Sequence, residues 1–163
     1  MARVHGEFPA LPDDVWVIAT FENNHAFMID NDPALIYSEM NFRIEHIFKK
    51  PDNLSLSVGD LIDAGIAGGR LKTSERGSVS PTWLRPADHY YRKGHKYLMQ
   101  LAYEAQGGFF YAYTRWDISS GKVQPDGPVE IERANRGESA IAGMSVTDLI
   151  RYLPSLLSNA SNR

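Results

Sequence analysis

The feature that most constrains this chain is a pair of alternating apolar runs on either side of Gly107-Gly108. Successive side chains of a strand point to opposite sides, so such runs are typical of β-strands. Two adjacent glycines accept the positive φ angles of a tight turn. The pattern therefore predicts a β-hairpin over residues 95–118, closed by a Gly-Gly turn. The same part of the chain is aromatic, since ten of the eighteen Phe, Tyr and Trp residues lie between Trp83 and Trp116.

A two-residue turn at these glycines would fix which hairpin side chains share a face. The apolar face should point into the core, and it carries Tyr97, Met99, Leu101, Tyr103, Phe110 and Trp116. The second face is polar and aromatic, and it carries Lys96, Gln100, Glu104, Tyr111, Tyr113 and Arg115. In this register Glu104 faces Tyr111 and Gln100 faces Arg115. Opposed Cβ atoms lie about 5 Å apart in a sheet, so these groups would touch.

The remaining pattern predicts an α+β fold, built mainly on an antiparallel sheet that contains the hairpin. Residues 15–21 and 129–133 are rich in β-branched or apolar residues, as strands are. Residues 145–157 begin with a helix-start signal and continue with apolar residues at helical spacing. The residues expected to pack this helix on the sheet are Val146, Leu149, Ile150 and Leu153. Two or three helices in total should cover one face of the sheet.

Two other segments carry helix-start signals. The run Ser57-Val58-Gly59-Asp60 resembles a capping box, with Asp in place of the usual Glu or Gln. It predicts a short helix whose apolar side consists of Leu61, Ile62 and Ile66. Asp32-Pro33 is typical of a helix start, and apolar residues follow it at helical spacing. Residues 41–48 also alternate as a strand does, so the sequence leaves helix and strand open there.

Length and composition indicate one globular domain over residues 1–163, because a chain of this size buries a sufficient core. We expect a short irregular arm over residues 1–13 and a frayed tail over residues 158–163. The chain has no cysteine, which excludes disulfides and thiolate metal sites and favours a reducing compartment. It contains neither an apolar run of about 20 residues nor a signal-peptide core. The expected location is therefore the cytoplasm, with no membrane partner.

Basic charge concentrates just before the hairpin, where residues 70–96 hold seven Lys and Arg against two Asp and Glu. This block predicts an anion site in which Arg92, Lys93 and Lys96 hold a phosphate-like group. Histidine is the side chain whose ordinary charge change falls near neutral pH, so the candidate catalytic residues are His89 and His95, together with Glu104. The residue spacing predicts no metal site, and no motif indicates a cofactor.

Three functions are consistent with these features, and the sequence does not decide whether the chain is an enzyme. The first is a protein-interaction module that binds a partner protein through the hairpin face and the basic loop. The second is an enzyme or binding protein for an anionic small molecule, phosphate-like or nucleotide-like, that uses His89, His95, Glu104 and Arg115. The third is a single-stranded nucleic-acid binder that stacks bases on the hairpin tyrosines.

Overall fold

The computed structural model describes residues 6–8, 13–28, 36–67, 71–73, 77–79, 91–104 and 108–161. Eight strands lie in this part: β1 Asp14–Met28, β2 Ile36–Lys49, β3 Leu61–Ala67, β4 Leu71–Thr73, β5 Gly77–Val79, β6 Lys96–Glu104, β7 Phe109–Asp117 and β8 Gln124–Pro125. The two helices of the described residues are α1 Pro128–Asn135 and α2 Val146–Ser161. Neither helix has the length and apolar character that crossing a bilayer requires. The chain is thus a mixed α+β fold on a largely antiparallel sheet, as predicted.

Five of the strands close into a ring. The six-stranded sheet has the order β3-β2-β1-β6-β7-β8, and β3 also pairs with β7 in parallel. That closing contact is short and consists of Ala64 beside Phe110 and Gly65 beside Tyr111. Further along, β7 pairs with β8 through Trp116 and Asp117. Residues 112–115 of β7 lie between these two pairings, and this stretch borders the candidate site.

Two apolar clusters occupy the two sides of the strands. Alternate residues of β1, β2, β3, β6 and β7 point into the ring and form its core, which includes Val17, Phe42, Ile62, Met99 and Phe110. The side chains between them form a second cluster outside the ring, which includes Trp16, Ile18, Leu98, Trp116 and Ile141. The first half of β1 is therefore buried on both faces.

Helix α2 covers the outer cluster. Leu149 and Leu153 are fully buried there, and Leu157 joins them one turn later. Ile150 was predicted to pack on the sheet as well, and that prediction is wrong because 41% of its surface is exposed. The helix also continues through Pro154 rather than stopping beside it.

Three predicted elements differ in kind from the observed ones. Residues 61–67 form β3 rather than a helix, because Ile62 and Ala64 alternate into the core of the ring. The Ser57–Asp60 motif does form, since the Ser57 N–H donates to the Asp60 carboxylate at 2.8 Å, but it closes a turn. Residues 36–40 are strand, so the helix expected after Asp32-Pro33 is wrong there, and residues 41–48, for which the sequence left helix and strand open, continue the same strand β2. Residues 129–133 lie in α1 rather than in a strand, because Pro128 occupies its first turn and sets a helical φ.

The hairpin prediction is right about the two strands and wrong about their register. β6 and β7 pair antiparallel, but Glu104 lies opposite Phe109 and Ala102 lies opposite Tyr111. A bulge then shifts the ladder, so that Gln100 lies opposite Thr114 instead of Arg115. Gly108 has a φ of +68°, whereas Gly107 falls outside the described residues. The Gly-Gly turn therefore stays a prediction.

Candidate functional site

The register separates the side chains that were predicted to share one hairpin face. Gln100 is 1% exposed, and its side-chain N–H donates to the buried Asp14 carboxylate at 2.9 Å. Lys96 is exposed and lies 3.4 Å from the Glu45 carboxylate. Glu104 is the last residue of β6, and its side chain lies outside the described part. In the observed strand pairing Gln100 lies opposite Thr114 and Glu104 lies opposite Phe109. The predicted pairs of Gln100 with Arg115 and of Glu104 with Tyr111 are therefore wrong.

The two histidine candidates have different outcomes. His89 lies outside the described residues. His95 is half-exposed, and its Nδ1 lies 2.7 Å from Oδ2 of Asp117. Partial burial acts to raise the pKa of Asp117, but hydrogen bonds from Ser119 and from His95 outweigh it and hold that pKa below its ordinary value. The His95 ring is therefore engaged with the Asp117 carboxylate.

The other two members of the basic block lie on the surface, in the turn before β6. Arg92 and Lys93 are exposed. The Arg92 backbone N–H donates to the Tyr97 hydroxyl at 2.7 Å, and Lys93 borders a shallow open hollow beside Thr20 and Glu22. Lys93 and Arg115 line different depressions of the surface.

A cleft of about 160 Å³ lies beside the middle of β7. Its lining comes from the ring, the turn before β6 and the start of α1: Met40, Tyr91, Ala112, Tyr113, Thr114, Arg115, Gly127, Pro128, Val129 and Glu130. Arg115 and Tyr113 were predicted as binding residues. The structure brings these two to the same cleft, with mainly apolar walls around them.

Arg115 forms the polar floor of this cleft. It lies opposite Met99 in the ladder and so shares the inward side of β7. Its Nε lies 2.7 Å from Oδ2 of Asp126, and one of its terminal nitrogens donates to the Asp126 carbonyl at 2.8 Å. The guanidinium carbon lies 5.2 Å from the centre of the Tyr91 ring. The cation is therefore held by a carboxylate and an aromatic face together.

Glu130 is a second buried charged group at the cleft, with 5% of its surface exposed. It occupies the first turn of α1, where a carboxylate is favoured by the helix dipole. Burial raises the pKa of Glu130, although backbone N–H groups of Glu130 and Arg115 and the Arg115 and Arg133 guanidiniums act to lower it. A Cβ on Gly127 would clash with Oε2 of Glu130, so a larger residue there requires this carboxylate to move.

Exposed aromatic residues lie along β7, and one of them, Tyr113, lines the cleft. Tyr113 is the extra residue of the bulge and is 59% exposed. Tyr111 is 46% exposed, and its ring lies 5.0 Å from that of Phe109. On the α1 side, Val129 is 63% exposed. The cleft thus has a buried ionic floor and a large apolar and aromatic rim.

Sequence reasoning missed Tyr91, Asp126 and Glu130 as parts of this site. Burial raises the pKa of Tyr91 above its ordinary value, so its phenol stays neutral in the folded chain. Pro128 followed two residues later by Glu130 was an available helix-start signal. No comparable signal connects Tyr91 to Arg115, because the two residues meet only through the fold.

The cleft brings Arg115, with its ion-pair partner Asp126, close to the Glu130 carboxyl. Within the described residues, no group of three His, Asp or Glu side chains is placed to hold a metal ion. The charged groups of the floor are engaged with one another, and the apolar rim offers contact area. No family model, no curated protein and no solved structure matches this chain.

Proposed function

We propose that this chain is a protein-interaction module that binds its partner through the β7 rim and the adjoining cleft. The proposal rests on the exposure of Tyr111 and Tyr113 along β7 and on the cleft that Tyr113 lines. Arg115 and Glu130 form the polar floor of that cleft. Tyrosine is enriched at interface hot spots because it gives a large rigid contact area together with a hydrogen-bonding group.

The size of the cleft favours a protein partner over a small-molecule ligand. Sites for drug-sized ligands and cofactors have volumes of about 300–1,000 Å³. The cleft here, at about 160 Å³, is smaller than that range and is closer to the volume of one amino-acid side chain. Hot-spot residues of a partner occupy pockets of this kind, with weaker contacts around them.

The charge pattern argues against the anionic-ligand alternative. Three residues assigned to the anionic-ligand alternative each have a carboxylate nearby: Arg115 has Asp126, His95 has Asp117 and Lys96 has Glu45. An anion at the cleft would also meet the buried Glu130 carboxyl. Binding a phosphate there would require breaking an ion pair that is already formed, which costs part of the affinity gained.

Nucleic-acid binding is the second candidate, and one observation favours it. The ring order β1-β2-β3-β7-β6, closed in parallel between its third and fifth strands along the chain, is that of the five-stranded OB barrel. Other barrels of this kind bind oligonucleotides or oligosaccharides on their second and third strands. This support is an analogy of fold, which by itself does not assign a function.

The outward charges of β2 and β3 weigh against that candidate. Glu39, Glu45 and Asp63 are acidic and exposed. The two basic residues of these strands, Arg43 and Lys49, are paired with Glu22 and Asp14. A strand face that binds a phosphate backbone needs an excess of basic groups. Partner-protein binding therefore remains the better supported function, with the cytoplasm as its proposed compartment.

The proposal is tested by quantitative affinity capture with the whole chain and matched variants. Tyr111→Ser and Tyr113→Ser, alone and combined, remove the rim rings without changing charge. Tyr152→Ser on α2 is the control, because Tyr152 is 48% exposed and lies on another element. We expect a specific partner to be captured by wild type and by Tyr152→Ser, and to be depleted at least tenfold by the double variant.

Two outcomes would contradict the proposal. The first is a captured partner whose recovery is the same with all the variants, which would place the interface elsewhere. The second is steep loss of binding with salt, together with recovery of single-stranded nucleic acid, which would favour the second candidate.

A further inference from the structure

The outer side of the ring carries a polar and aromatic row that crosses β2, β3 and β7. Glu39 lies opposite Gly65, and Gly65 lies beside Tyr111. The chain neighbours of these three residues point into the core of the ring. Side chains alternate along a strand, so Glu39 and Tyr111 point outward on either side of the gap that Gly65 leaves.

Tyr111 presents an open aromatic face in this row. Its cross-strand neighbours are Gly65 on β3 and Ala102 on β6, and neither is large enough to cover the Tyr111 side chain. Its contact with the Phe109 ring, at 5.0 Å between centroids, lies along β7 itself. Because 46% of Tyr111 is exposed, a ligand with a flat apolar side has room to stack on it.

Hydrogen-bond acceptors lie on the far side of the gap at Gly65. Glu39 is exposed two strands away from Tyr111, which corresponds to about 10 Å at the ordinary strand spacing. Next to Glu39, the Asn41 side-chain amide donates to one carboxylate oxygen of the exposed Asp63. The second Asp63 oxygen points to no printed donor of this pair, and ionised carboxylates only accept. The face is therefore suited to a ligand that is rich in hydrogen-bond donors.

The charge of this face disfavours an anionic ligand. Glu39 and Asp63 both carry negative charge, and Arg43, two residues along β2 from Asn41, is already held by Glu22 at 2.6 Å. A phosphate or a uronic acid here would be repelled by the two carboxylates. An uncharged sugar meets all the requirements, because its hydroxyl groups donate to carboxylates and its C–H side packs on an aromatic ring.

We propose that the outer row of β2, β3 and β7 binds an uncharged oligosaccharide, with one pyranose ring stacked on Tyr111 over Gly65 and its hydroxyl groups donating to Glu39 and Asp63. This surface goes beyond the proposed function, since Tyr111 alone belongs to both. Other barrels with this strand order bind oligosaccharides on their second and third strands, and that analogy of fold agrees with the argument from the residues.

The test is a titration of the whole chain with three neutral tetrasaccharides of different linkage, at about 0.15 M salt to screen exposed charges. They are maltotetraose, cellotetraose and fully N-acetylated chitotetraose. The reporters in solution are the Gly65 amide and the Ala102 methyl group, with the Ile150 methyl group on α2 as a remote reference. We expect saturable shifts at Gly65 and Ala102 with at least one tetrasaccharide, and none at Ile150. A tetramer of galacturonic acid should bind about tenfold more weakly or not at all.

Four variants assign the binding to this row. Tyr111→Ser removes the stacking surface and should lower the affinity about tenfold. Glu39→Ala and Asp63→Ala each remove an acceptor and should lower the affinity severalfold. Tyr152→Ser is the matched control, because Tyr152 is 48% exposed and lies on α2, and it should bind as wild type does. All four positions are exposed, so each variant should keep the wild-type midpoint in urea.

Four results would overturn the inference. They are the absence of saturable shifts with all three neutral tetrasaccharides, an unchanged affinity in Tyr111→Ser, tighter binding of the galacturonic acid tetramer, and equal shifts and affinity with a lysine tetrapeptide. The last result would show an acidic patch without preference for a sugar.

The capture experiment separates this inference from the proposed function. Glu39→Ala and Asp63→Ala change neither the rim nor the cleft, so they should not alter partner capture. Capture that depends on Tyr111 and Tyr113 without any sugar binding would refute this inference alone. Sugar binding without such capture would refute the proposed function alone.

Discussion

At the scale of single residues, Tyr113 decides which side chains of β7 reach the cleft. A strand that alternates without interruption would place Tyr113 and Arg115 on the same side. The bulge inserts Tyr113 as an extra residue, so that Arg115 lies opposite the core residue Met99 while Tyr113 stays exposed. One additional residue thus turns a flat polar face into a rim above a charged floor.

Gly127 should tolerate a side chain only when Glu130 is truncated. Gly127→Ala introduces a Cβ that clashes with Oε2 of Glu130 and displaces this buried carboxylate, so we expect it to lower the free energy of unfolding by about 1–3 kcal/mol. In the Glu130→Ala background the same change should be neutral or slightly stabilising, because the φ of −79° at position 127 suits alanine. Urea unfolding of the four proteins in this cycle measures the difference. Equal costs in both backgrounds would contradict the steric account.

Asp117 should contribute stability at neutral pH that is lost in acid. Its pKa is lower in the folded chain than its ordinary value of 3.8, so the unfolded state takes up the proton first as pH falls. The contribution is therefore complete above pH 3.8 and disappears as pH falls through the lower, folded-state pKa. We expect Asp117→Asn to cost about 1 kcal/mol at pH 7 and much less below that window.

The measurement for Asp117 is the free energy of unfolding of wild type and Asp117→Asn across pH. Asp52→Asn, in an exposed turn, is the control and should not change the pH profile. A cost for Asp117→Asn that stays constant in acid would show that the carboxylate itself is not the source of stability.

At the scale of elements, helix α2 depends on one narrow stripe of side chains. Leu149 and Leu153 are fully buried against the outer face of the ring, whereas Ile150 between them is 41% exposed. The stripe is one residue narrower than the hydrophobic pattern predicts. The helix therefore presents Ile150 and Tyr152 on its exposed side.

Adjacent substitutions in α2 should differ strongly in cost. Leu149→Ala removes a fully buried side chain and leaves a cavity, so we expect a loss of about 2–5 kcal/mol in the free energy of unfolding. Ile150→Ala removes less buried surface and should cost about 1 kcal/mol or less. The free energy of unfolding of each variant is measured by urea denaturation, with the same dependence of that free energy on urea concentration used for both. Similar costs for the two variants would mean that α2 packs through a different face.

The sequence predicts elements better where the local pattern and the tertiary contacts agree. The alternation in residues 15–21 and 96–104 and the helical spacing after Ser145 each describe a buried face that exists in the fold. The Ser57–Asp60 hydrogen bond fits a turn as well as a helix start, so the pairing of β3 with its neighbours decided that segment. A bulge has no local signature in β7, and the register was therefore not predictable.

At the scale of the whole molecule, the inner and outer clusters share the same strands. β1, β6 and β7 send alternate side chains to each cluster, so neither can come apart while the other keeps its strands paired. The cleft could not be predicted from the sequence for a related reason. Tyr91, Arg115 and Glu130 belong to three separate segments, and only the closure of the ring and the position of α1 bring them together.

The two clusters should unfold together. Fluorescence of Trp16 and Trp116 reports the outer cluster, once Trp83 is replaced by Phe, and the methyl signals of Met40 and Met99 report the inner one. We expect the two sets of signals to change at the same urea concentration, as in a two-state transition. Midpoints that differ beyond error would show that α2 and the outer cluster can separate from an intact ring.

The burial of β1 on both faces also bears on synthesis at the ribosome. Asp14 meets its side-chain partner Gln100 only 86 residues later in the chain. At about 5–20 residues per second, the apolar stretch after Asp14 waits roughly 4–17 s for the strand that covers one of its edges. During that interval the nascent chain exposes this apolar segment to solvent and to other chains. Shielding by a chaperone at the exit tunnel would then determine the fraction of synthesised chains that reach the native state.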